Sequence, residues 1–224
     1  MGFKIGVVTI GQAPRDDVES HMRKLMPSSV EIIQKGALDG LTLSEVRMLN
    51  PKGTDDNLLI TRMRDGTEVG IGESQVIPRM QEKISELNRE GVDLITLACG
   101  GVFPDFESKK MMILPYKLIS GVFSSLSING RLGVLFPNKD QLEYAKEYFA
   151  KIGFYPEFVP ASPYGDMGNV LEAAQRLTGD DIDIIVLWCL GYTLAHKKEV
   201  QTITKKPVCH LGSLLARNLL EFVC

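Results

Sequence analysis

The chain has 224 residues, of which 44% are hydrophobic and 24% charged, and its formal net charge is -3 at pH 7. This length suffices for one large domain or two small lobes with their own cores, and the small net charge gives no electrostatic reason to expect nucleic acid binding. No apolar run reaches membrane-spanning length and no signal-peptide pattern opens the chain, so we expect no membrane association and a cytoplasmic location.

The first part of the chain predicts two strands, 4–10 and 30–34, with a helix between them. Pro14 suits the first turn of that helix, and Asp16 and Asp17 favour its positive end. The glycines after the first strand do not form a dinucleotide fingerprint, and no phosphate-loop lysine motif occurs in the chain. We therefore expect no nucleotide cofactor.

Residues from about 36 to 72 are interpreted as an insertion. Thr42 opens a capping-box pattern for a short helix. The pair Asp65-Gly66 lies between two strand-like runs, which predicts an antiparallel hairpin over 57–72. Because isolated hairpins are only marginally stable, we expect this one to pack on its own lobe or to pair across a homodimer.

A long helix that ends at Gly91 leads to the apolar run 93–98 and then to Cys99-Gly100-Gly101. Short apolar runs bounded by turn residues are typical of buried strands in a parallel sheet. Ligands of open α/β sheets bind at the carboxyl ends of such strands, which makes this exit a candidate site. A short helix is predicted over 103–111, followed by a short strand that Pro115 ends.

The second half of the chain predicts the same order of elements. They are a helix over 116–128, a strand over 131–136, a helix from Asn138 to Gly153 in which Asn138 and Gln141 form a capping-box pattern, a strand over 157–159, a helix over 169–177, a strand over 181–188, a helix over 193–204, a strand over 207–210 and a last helix capped by Ser213. Each half therefore runs strand, helix, strand, helix, strand, cysteine.

Spacing indicates that the two halves arose by duplication. Cys99 and Cys189 lie 90 positions apart, whereas the glycines of the two opening strands, Gly6 and Gly133, lie 127 apart. The difference of 37 residues equals the length of the insertion 36–72. Any chain that alternates strands and helices shows a similar rhythm, but here the cysteine-glycine exits also correspond. We predict an α/β fold with two similar lobes, each a parallel sheet flanked by helices, and a β-hairpin insertion in the first lobe.

Two motifs carry a resemblance to a known family. The opening Val8-Thr9-Ile10-Gly11-Gln12-Ala13-Pro14-Arg15, together with Cys189-Leu190-Gly191-Tyr192, resembles the AroM family within the aspartate/glutamate/hydantoin racemase superfamily. The resemblance covers essentially the whole chain. It implies a racemase-like fold in which residues 1–115 with 211–224 form the first lobe and residues 116–210 the second.

The same resemblance implies an active site between the lobes and no cofactor. Cys99 and Cys189 would flank the α-carbon of a small carboxylate, where one removes the proton and the other protonates the opposite face. Racemases of the superfamily usually place Asn-Thr and Thr-His after these cysteines, whereas this chain has Gly100-Gly101 and Leu190-Gly191. Two hypotheses stay open: an enzyme of the racemase, isomerase or decarboxylase type, or a binding or regulatory protein without catalysis.

Further ligand-binding candidates lie near the predicted strand exits. They are Thr9, Gly11, Gln12, Gly100, Gly101, Gly191, Tyr192 and Thr193. The first loop is interpreted either as a plain turn or as a loop whose backbone amides and Thr9 hydroxyl hold an anion at the following helix, where Arg15 either adds charge or is solvated. A helix after each cysteine would favour the thiolate, although free cysteines are often inert buried residues.

The histidines and remaining cysteines give no metal site. The spacings among Cys189, His196, Cys209 and His210 match no compact zinc pattern. His196 and His21 are interpreted as surface residues of helices, and Cys224 as incidental. Asp93 and Asp183 enter their strands at the end opposite the cysteines and are interpreted as structural markers.

Overall fold

Strands and helices alternate along the chain in two successive sets. The computed structural model describes residues 2–54 and 56–223 without the side chain of His21, so the interpretations of His21 and Cys224 lie outside the described part. The first set comprises β1 (Lys4–Thr9), α1 (Asp16–Arg23), β2 (Glu31–Gly36), α2 (Leu43–Val46), β3 (Leu58–Arg62), β4 (Glu68–Gly72), α3 (Glu73–Glu90), β5 (Leu94–Leu97) and β6 (Met111–Ile113).

The second set repeats this pattern without the hairpin. It comprises α4 (Pro115–Ser124), β7 (Arg131–Phe136), a 3-10 turn (Lys139–Gln141), α5 (Leu142–Lys151), β8 (Glu157–Pro160), α6 (Met167–Gln175), β9 (Ile182–Leu187), α7 (Leu194–Thr204), β10 (Val208–His210) and α8 (Leu211–Leu220). Among the described residues, no helix combines the length and the apolar character that crossing a bilayer requires.

Each set forms a four-stranded sheet in which every pairing is parallel. The first sheet has the strand order β2-β1-β5-β6, and the second has the equivalent order β8-β7-β9-β10. We call the two sheets with their helices the first and second lobes. The predicted α/β fold with two similar lobes is therefore confirmed, and the strand that leads to each cysteine occupies the same inner position.

Two aspartates make equivalent hydrogen bonds in the two lobes, at the start of the strands that lead to the cysteines. The Asp93 carboxylate accepts a hydrogen bond from the Lys4 amide at 2.8 Å, and the Asp183 carboxylate accepts one from the Gly130 amide at 2.6 Å. Each bond therefore ties the entry of the cysteine-bearing strand to the start of the neighbouring strand. The interpretation of both residues as structural markers is confirmed.

The last helix joins the two lobes. α8 packs on α1 and also on α4, and its apolar face contributes Leu215 and Leu219 to a core shared by both lobes. The bounds 1–115 with 211–224 and 116–210 stay a prediction, because α8 contacts elements on both sides of that boundary. The cap of α8 differs from the predicted one: the His210 ring, not Ser213, accepts the hydrogen bond from the third amide of the helix at 3.0 Å.

The predicted hairpin is present. β3 and β4 pair antiparallel from Leu58 opposite Gly72 to Arg62 opposite Glu68. Gly66 in the turn has a φ of 93°, a backbone conformation that residues with a side chain rarely adopt. Hairpin side chains including Leu59 and Ile71 are buried in the first-lobe core, so the hairpin packs on its own lobe.

The helix predicted over 103–111 is wrong. This segment is irregular until β6 begins, because its backbone pairs with side chains of α3 instead of forming helical hydrogen bonds. The side-chain amide of Gln81 donates to the backbone carbonyl of Glu107 and accepts from the backbone amide of the same residue. The side-chain oxygen of Asn88 accepts from the backbone amide of Lys109. The helix predicted over 116–128 also ends earlier, at Ser124.

Candidate active site

Both cysteines of the strand exits line one cavity of about 50 Å³ between the lobes. The first lobe and its hairpin also contribute Ile10, Leu59, Ile60, Gly100 and Gly101, and the second lobe contributes Pro137, Gln141, Tyr144 and Trp188. The two thiols therefore face the same space although they are 90 positions apart in the chain. Among the described residues, no charged side chain lines this cavity.

The two cysteine sulfurs accept equivalent hydrogen bonds from the backbone. The Gly101 amide donates a hydrogen bond to Cys99 Sγ at 3.4 Å, and the Gly191 amide donates one to Cys189 Sγ at 3.4 Å. A hydrogen bond to the charged form of an acid favours that form, so each amide favours the thiolate of its cysteine. The duplication thus extends from the sheets to the donor at each thiol.

The environment of Cys99 keeps its thiol protonated. Burial raises its pKa to about 12, against the opposing effect of the Gly101 amide. The helix expected directly after Cys99 is absent, because the chain continues into the irregular segment 102–108. The predicted helix-end stabilisation of a thiolate at Cys99 is therefore wrong.

Cys189 has a further polar partner that Cys99 lacks. Burial raises the pKa of Cys189 too, but the Gly191 amide, the Arg15 charge and the Tyr164 hydroxyl all act to lower it. The Tyr164 hydroxyl lies 4.0 Å from Cys189 Sγ and accepts a hydrogen bond from Arg15 Nη2 at 3.2 Å. Burial raises the pKa of Tyr164 well above its usual value, so its hydroxyl keeps its proton.

Arg15 is a buried cation. Its side chain is only 4% exposed, so its interpretation as solvated is wrong. Nε and Nη2 bond to the two carboxylate oxygens of Asp17 at 2.9 and 2.6 Å. Burial opposes the charge of both groups, but this two-point pairing lowers the pKa of Asp17 and raises that of Arg15, so both stay charged.

Tyr164 was not predicted from the sequence. It lies in the loop between β8 and α6, 149 positions from Arg15, and no local pattern links the two. One indirect signal is Gly191, because a Cβ at that position would lie 2.5 Å from Cε1 of the Tyr164 ring. The glycine after Cys189-Leu190 thus makes room for this aromatic ring.

Thr9 and Gly11 hold the first loop and do not line the cavity. The Thr9 hydroxyl accepts a hydrogen bond from the Gly11 amide at 3.2 Å and one from Arg15 Nη1 at 3.5 Å. A Cβ at Gly11 would lie 2.5 Å from the carbonyl oxygen of Arg62, so this glycine allows the hairpin to pack against the loop.

Gln12 fastens the same loop to the insertion. Its amide nitrogen donates to the carbonyls of Leu38 and Leu41 at 3.2 and 2.8 Å, and its amide oxygen accepts from the Arg64 amide at 2.9 Å. These bonds use both ends of the side chain, which here connects backbone segments.

Tyr192 and Thr193 lie outside the cavity, at the start of α7. Tyr192 is fully buried and its hydroxyl donates to the Ala161 carbonyl. The Thr193 hydroxyl caps α7 by accepting from the His196 amide at 3.3 Å. His196 is only 6% exposed and its ring accepts from the Thr193 amide, so its interpretation as a surface residue is wrong.

The described part of the chain contains no cluster of three or more histidine, cysteine or acidic residues that could hold a metal ion.

Among the cavity residues that sequence reasoning missed, three have polar or aromatic side chains: Gln141, Tyr144 and Trp188. The pattern from Asn138 assigned Gln141 to a helix cap, but its amide nitrogen instead donates to the Leu58 carbonyl of the hairpin at 3.1 Å. Trp188 directly precedes Cys189, and an aromatic residue at a strand exit is the one signal that pointed to it.

Comparison with solved structures identifies the fold as that of racemase-like α/β enzymes. Unliganded arylmalonate decarboxylase aligns at a TM-score of 0.62 and 15% identity, over 99% of this chain and 92% of that one. Glutamate racemase from Aquifex pyrophilus gives 0.59 and 16%, over 99% and 84%. Maleate isomerase Iso from Pseudomonas putida S16 gives 0.64 and 13%, over 98% and 92%. At these identities the likeness establishes the fold alone.

The family follows from the sequence match. The family model described as AroM protein matches residues 5–223, so this chain belongs to the AroM family, and the resemblance drawn from its two motifs is confirmed. No curated protein matches the chain.

Proposed function

We propose that this AroM-family protein is a cofactor-independent enzyme that moves a proton at the carbon next to a carboxylate. One observation carries the proposal: thiols that follow equivalent strands of two similar lobes line one cavity, and each sulfur accepts a hydrogen bond from a glycine amide. Solved proteins of the same fold are named as a racemase, an isomerase and a decarboxylase, which supports this reaction type.

The unequal surroundings of the thiols suggest their roles. Burial raises the pKa of both thiols and the Arg15 charge opposes this at both, but the Tyr164 hydroxyl favours the thiolate of Cys189 in addition. This difference assigns Cys189 as the base and Cys99 as the proton donor. Cys189 takes the proton of the α-carbon and leaves a carbanion stabilised as an enolate. Cys99 then delivers its own proton to the opposite face. Solvent resets the two protonation states. In a decarboxylation, loss of carbon dioxide generates the carbanion and a thiol protonates it.

The charge of Arg15 supports a carboxylate as the ligand. Its positive charge favours the anionic form of both Cys99 and Cys189. An anionic group bound between the two sulfurs lies in the same field and is favoured for the same reason.

A binding or regulatory protein is the second candidate. It is favoured by the raised pKa values of both thiols, since the thiolate is the form that abstracts a proton. It is also favoured by Gly100-Gly101 and Leu190-Gly191, which lack the polar side chains that superfamily racemases place there.

Deuterium incorporation decides between the two candidates. The protein is incubated in deuterium oxide with a panel of small carboxylic acids, and deuterium at the α-carbon is measured by mass spectrometry. We expect exchange with the wild type, strongly reduced exchange with Cys99→Ser, and normal exchange with Cys209→Ser, because Cys209 lies in β10 outside the cavity. Cys99→Ser should still bind the acids. Binding without exchange in the wild type favours the binding protein, and exchange by Cys99→Ser at the wild-type rate contradicts the two-thiol mechanism.

A further inference from the structure

Two polar atoms buried at the cavity have no hydrogen-bond partner among the described residues: Trp188 Nε1 and Gln141 Oε1. Both residues line the cavity, and Trp188 is only 7% exposed. Buried polar groups in folded proteins nearly always find a partner, because an unmade hydrogen bond is costly. Because both residues line the cavity, a ligand bound there is the candidate partner of these two atoms.

The orientation of the Gln141 amide is fixed by the hairpin. Its nitrogen donates to the Leu58 carbonyl at 3.1 Å. A carbonyl oxygen can only accept, so a flipped amide would place two acceptors against each other. The unpartnered polar atom of Gln141 is therefore an acceptor, its Oε1.

The orientation of the Trp188 ring is fixed by aromatic neighbours. It stacks on Tyr148 with ring centroids 5.4 Å apart and on Tyr144 with centroids 6.1 Å apart. Its Nε1 lies 3.9 Å from the position that a Cβ on Gly100 would occupy, which places the indole N–H beside the exit of the Cys99 strand. Trp188 therefore offers a donor on the side of the proposed proton donor.

We propose that Trp188 and Gln141 select a small acid that carries a hydroxyl or amide N–H next to its carboxylate. A carboxylate oxygen accepts from the indole N–H of Trp188, and the neutral donor of the ligand binds Gln141 Oε1. An ammonium group fits less well, because none of the described acidic side chains lines the cavity to pair with a buried positive charge. The inference rests on the proposed function only in placing a carboxylate between the thiols.

Matched pairs of acids test the inference on the wild-type protein. The chain has one tryptophan, so its indole N–H gives a single signal in a proton–nitrogen correlation spectrum. Lactate and propionate, malate and succinate, and mandelate and phenylacetate are each titrated. We expect the hydroxy acid to bind about tenfold or more tightly than its partner, and to shift the indole signal downfield. Equal binding within all three pairs, or no shift by any of the six acids, overturns the inference.

Two variants separate the roles of the pair, with binding measured by calorimetry. Gln141→Met removes the acceptor, so it should weaken the hydroxy acids to the level of their partners and leave the partners unchanged. Trp188→Phe keeps the stacked ring without the N–H, so it should weaken both members of each pair by a similar factor. Gln141→Met that still prefers the hydroxy acids overturns the inference. If that variant fails to fold, the wild-type comparison decides alone.

The outcome is independent of turnover. Discrimination between paired acids without deuterium exchange leaves this inference standing and removes the proposed function. Exchange without discrimination does the opposite.

Discussion

The half-site around Cys99 and the half-site around Cys189 have the same backbone and different surroundings. Each cysteine follows the equivalent inner strand of its sheet, and its sulfur accepts a hydrogen bond from the amide of the glycine two positions later in the chain. After Cys99 the chain is irregular and contributes the buried ring of Phe103. Cys189 instead has a polar neighbour, since the Tyr164 hydroxyl lies 4.0 Å from its sulfur. The repeated strand order thus accounts for the position of both thiols, and residues outside the repeated elements account for their difference in acidity.

The charge that acts on the second-lobe cysteine comes from the first lobe. Arg15 follows β1, and both Arg15 and Arg62 lie over the Tyr164 ring, at 5.6 and 5.3 Å from its centroid. The carboxylate that pairs with Arg15 is that of Asp17, also in the first lobe. The acidity of Cys189 therefore depends on Arg15, a residue of the other lobe, as well as on Tyr164 of its own lobe. For Cys99 the same Arg15 charge comes from its own lobe.

Replacing the two cysteines should have the largest effect. A serine hydroxyl can donate a proton but does not form an alkoxide base at neutral pH. We therefore expect Cys189→Ser to reduce deuterium exchange by about 100-fold or more, and at least as severely as Cys99→Ser. Initial rates of exchange measure both. A milder loss for Cys189→Ser than for Cys99→Ser would reverse the assignment of base and proton donor.

The sequence located the thiols because local patterns carry that information. Apolar runs that open with Asp93 and Asp183 predicted the strands, and the strand exits placed Cys99 and Cys189. The turn at Asp65-Gly66 predicted the hairpin for the same local reason. No such pattern exists for Tyr164, whose role depends on a contact across 149 positions.

Two of the failed predictions have this physical cause. Segment 103–111 has no helix because Gln81 and Asn88 of a preceding helix take its backbone hydrogen bonds. Gln141 fits a capping pattern, yet its amide bonds to the hairpin of the other lobe. Side-chain partners that are distant in the chain are set by the tertiary fold and leave no periodic signal.

Arg15→Met should have the next largest effect. Loss of the cation removes a charge that lowers the pKa of Cys189, so this pKa should rise and the midpoint of Cys189 alkylation should move to higher pH. The deuterium exchange rate should fall about tenfold or more at neutral pH, since a smaller fraction of Cys189 is thiolate.

Arg15→Met also leaves Asp17 without its buried partner, which should cost about 3 kcal/mol or more in the free energy of unfolding. Denaturant unfolding measures this loss. Arg15→Met with Asp17→Asn should recover part of the stability but none of the exchange rate. An unchanged alkylation midpoint of Cys189 in Arg15→Met would show that the cation does not act on this thiol.

The two glycines that donate to the sulfurs should tolerate alanine unequally. At Gly191 a Cβ would lie 2.5 Å from the Tyr164 ring, whereas at Gly101 its nearest neighbour would be the Phe103 ring at 3.3 Å. Gly191→Ala should therefore displace Tyr164 and cost about 1–3 kcal/mol in the free energy of unfolding, with a smaller cost for Gly101→Ala. Thermal unfolding measures both variants. Equal losses would show that the Tyr164 contact does not distinguish the half-sites.

Tyr164→Phe should have the smallest effect and the most specific one. The variant keeps the ring beneath Arg15 and Arg62 but removes the hydroxyl that lowers the pKa of Cys189. The pKa of Cys189 should rise, and exchange at neutral pH should fall only a few-fold, because the Gly191 amide and the Arg15 charge remain.

The matched control for Tyr164→Phe is Tyr144→Phe. The Tyr144 hydroxyl accepts from the Val102 amide beside Cys99, so its loss should leave the acidity of Cys189 unchanged. The pH dependence of alkylation, followed for each cysteine by peptide mass spectrometry, compares the two variants. A shifted midpoint for Cys189 in Tyr164→Phe, with none in Tyr144→Phe, is the expected result. If both variants shift Cys189 equally, the hydroxyl acts through the general polarity of the cavity and does not distinguish the two half-sites.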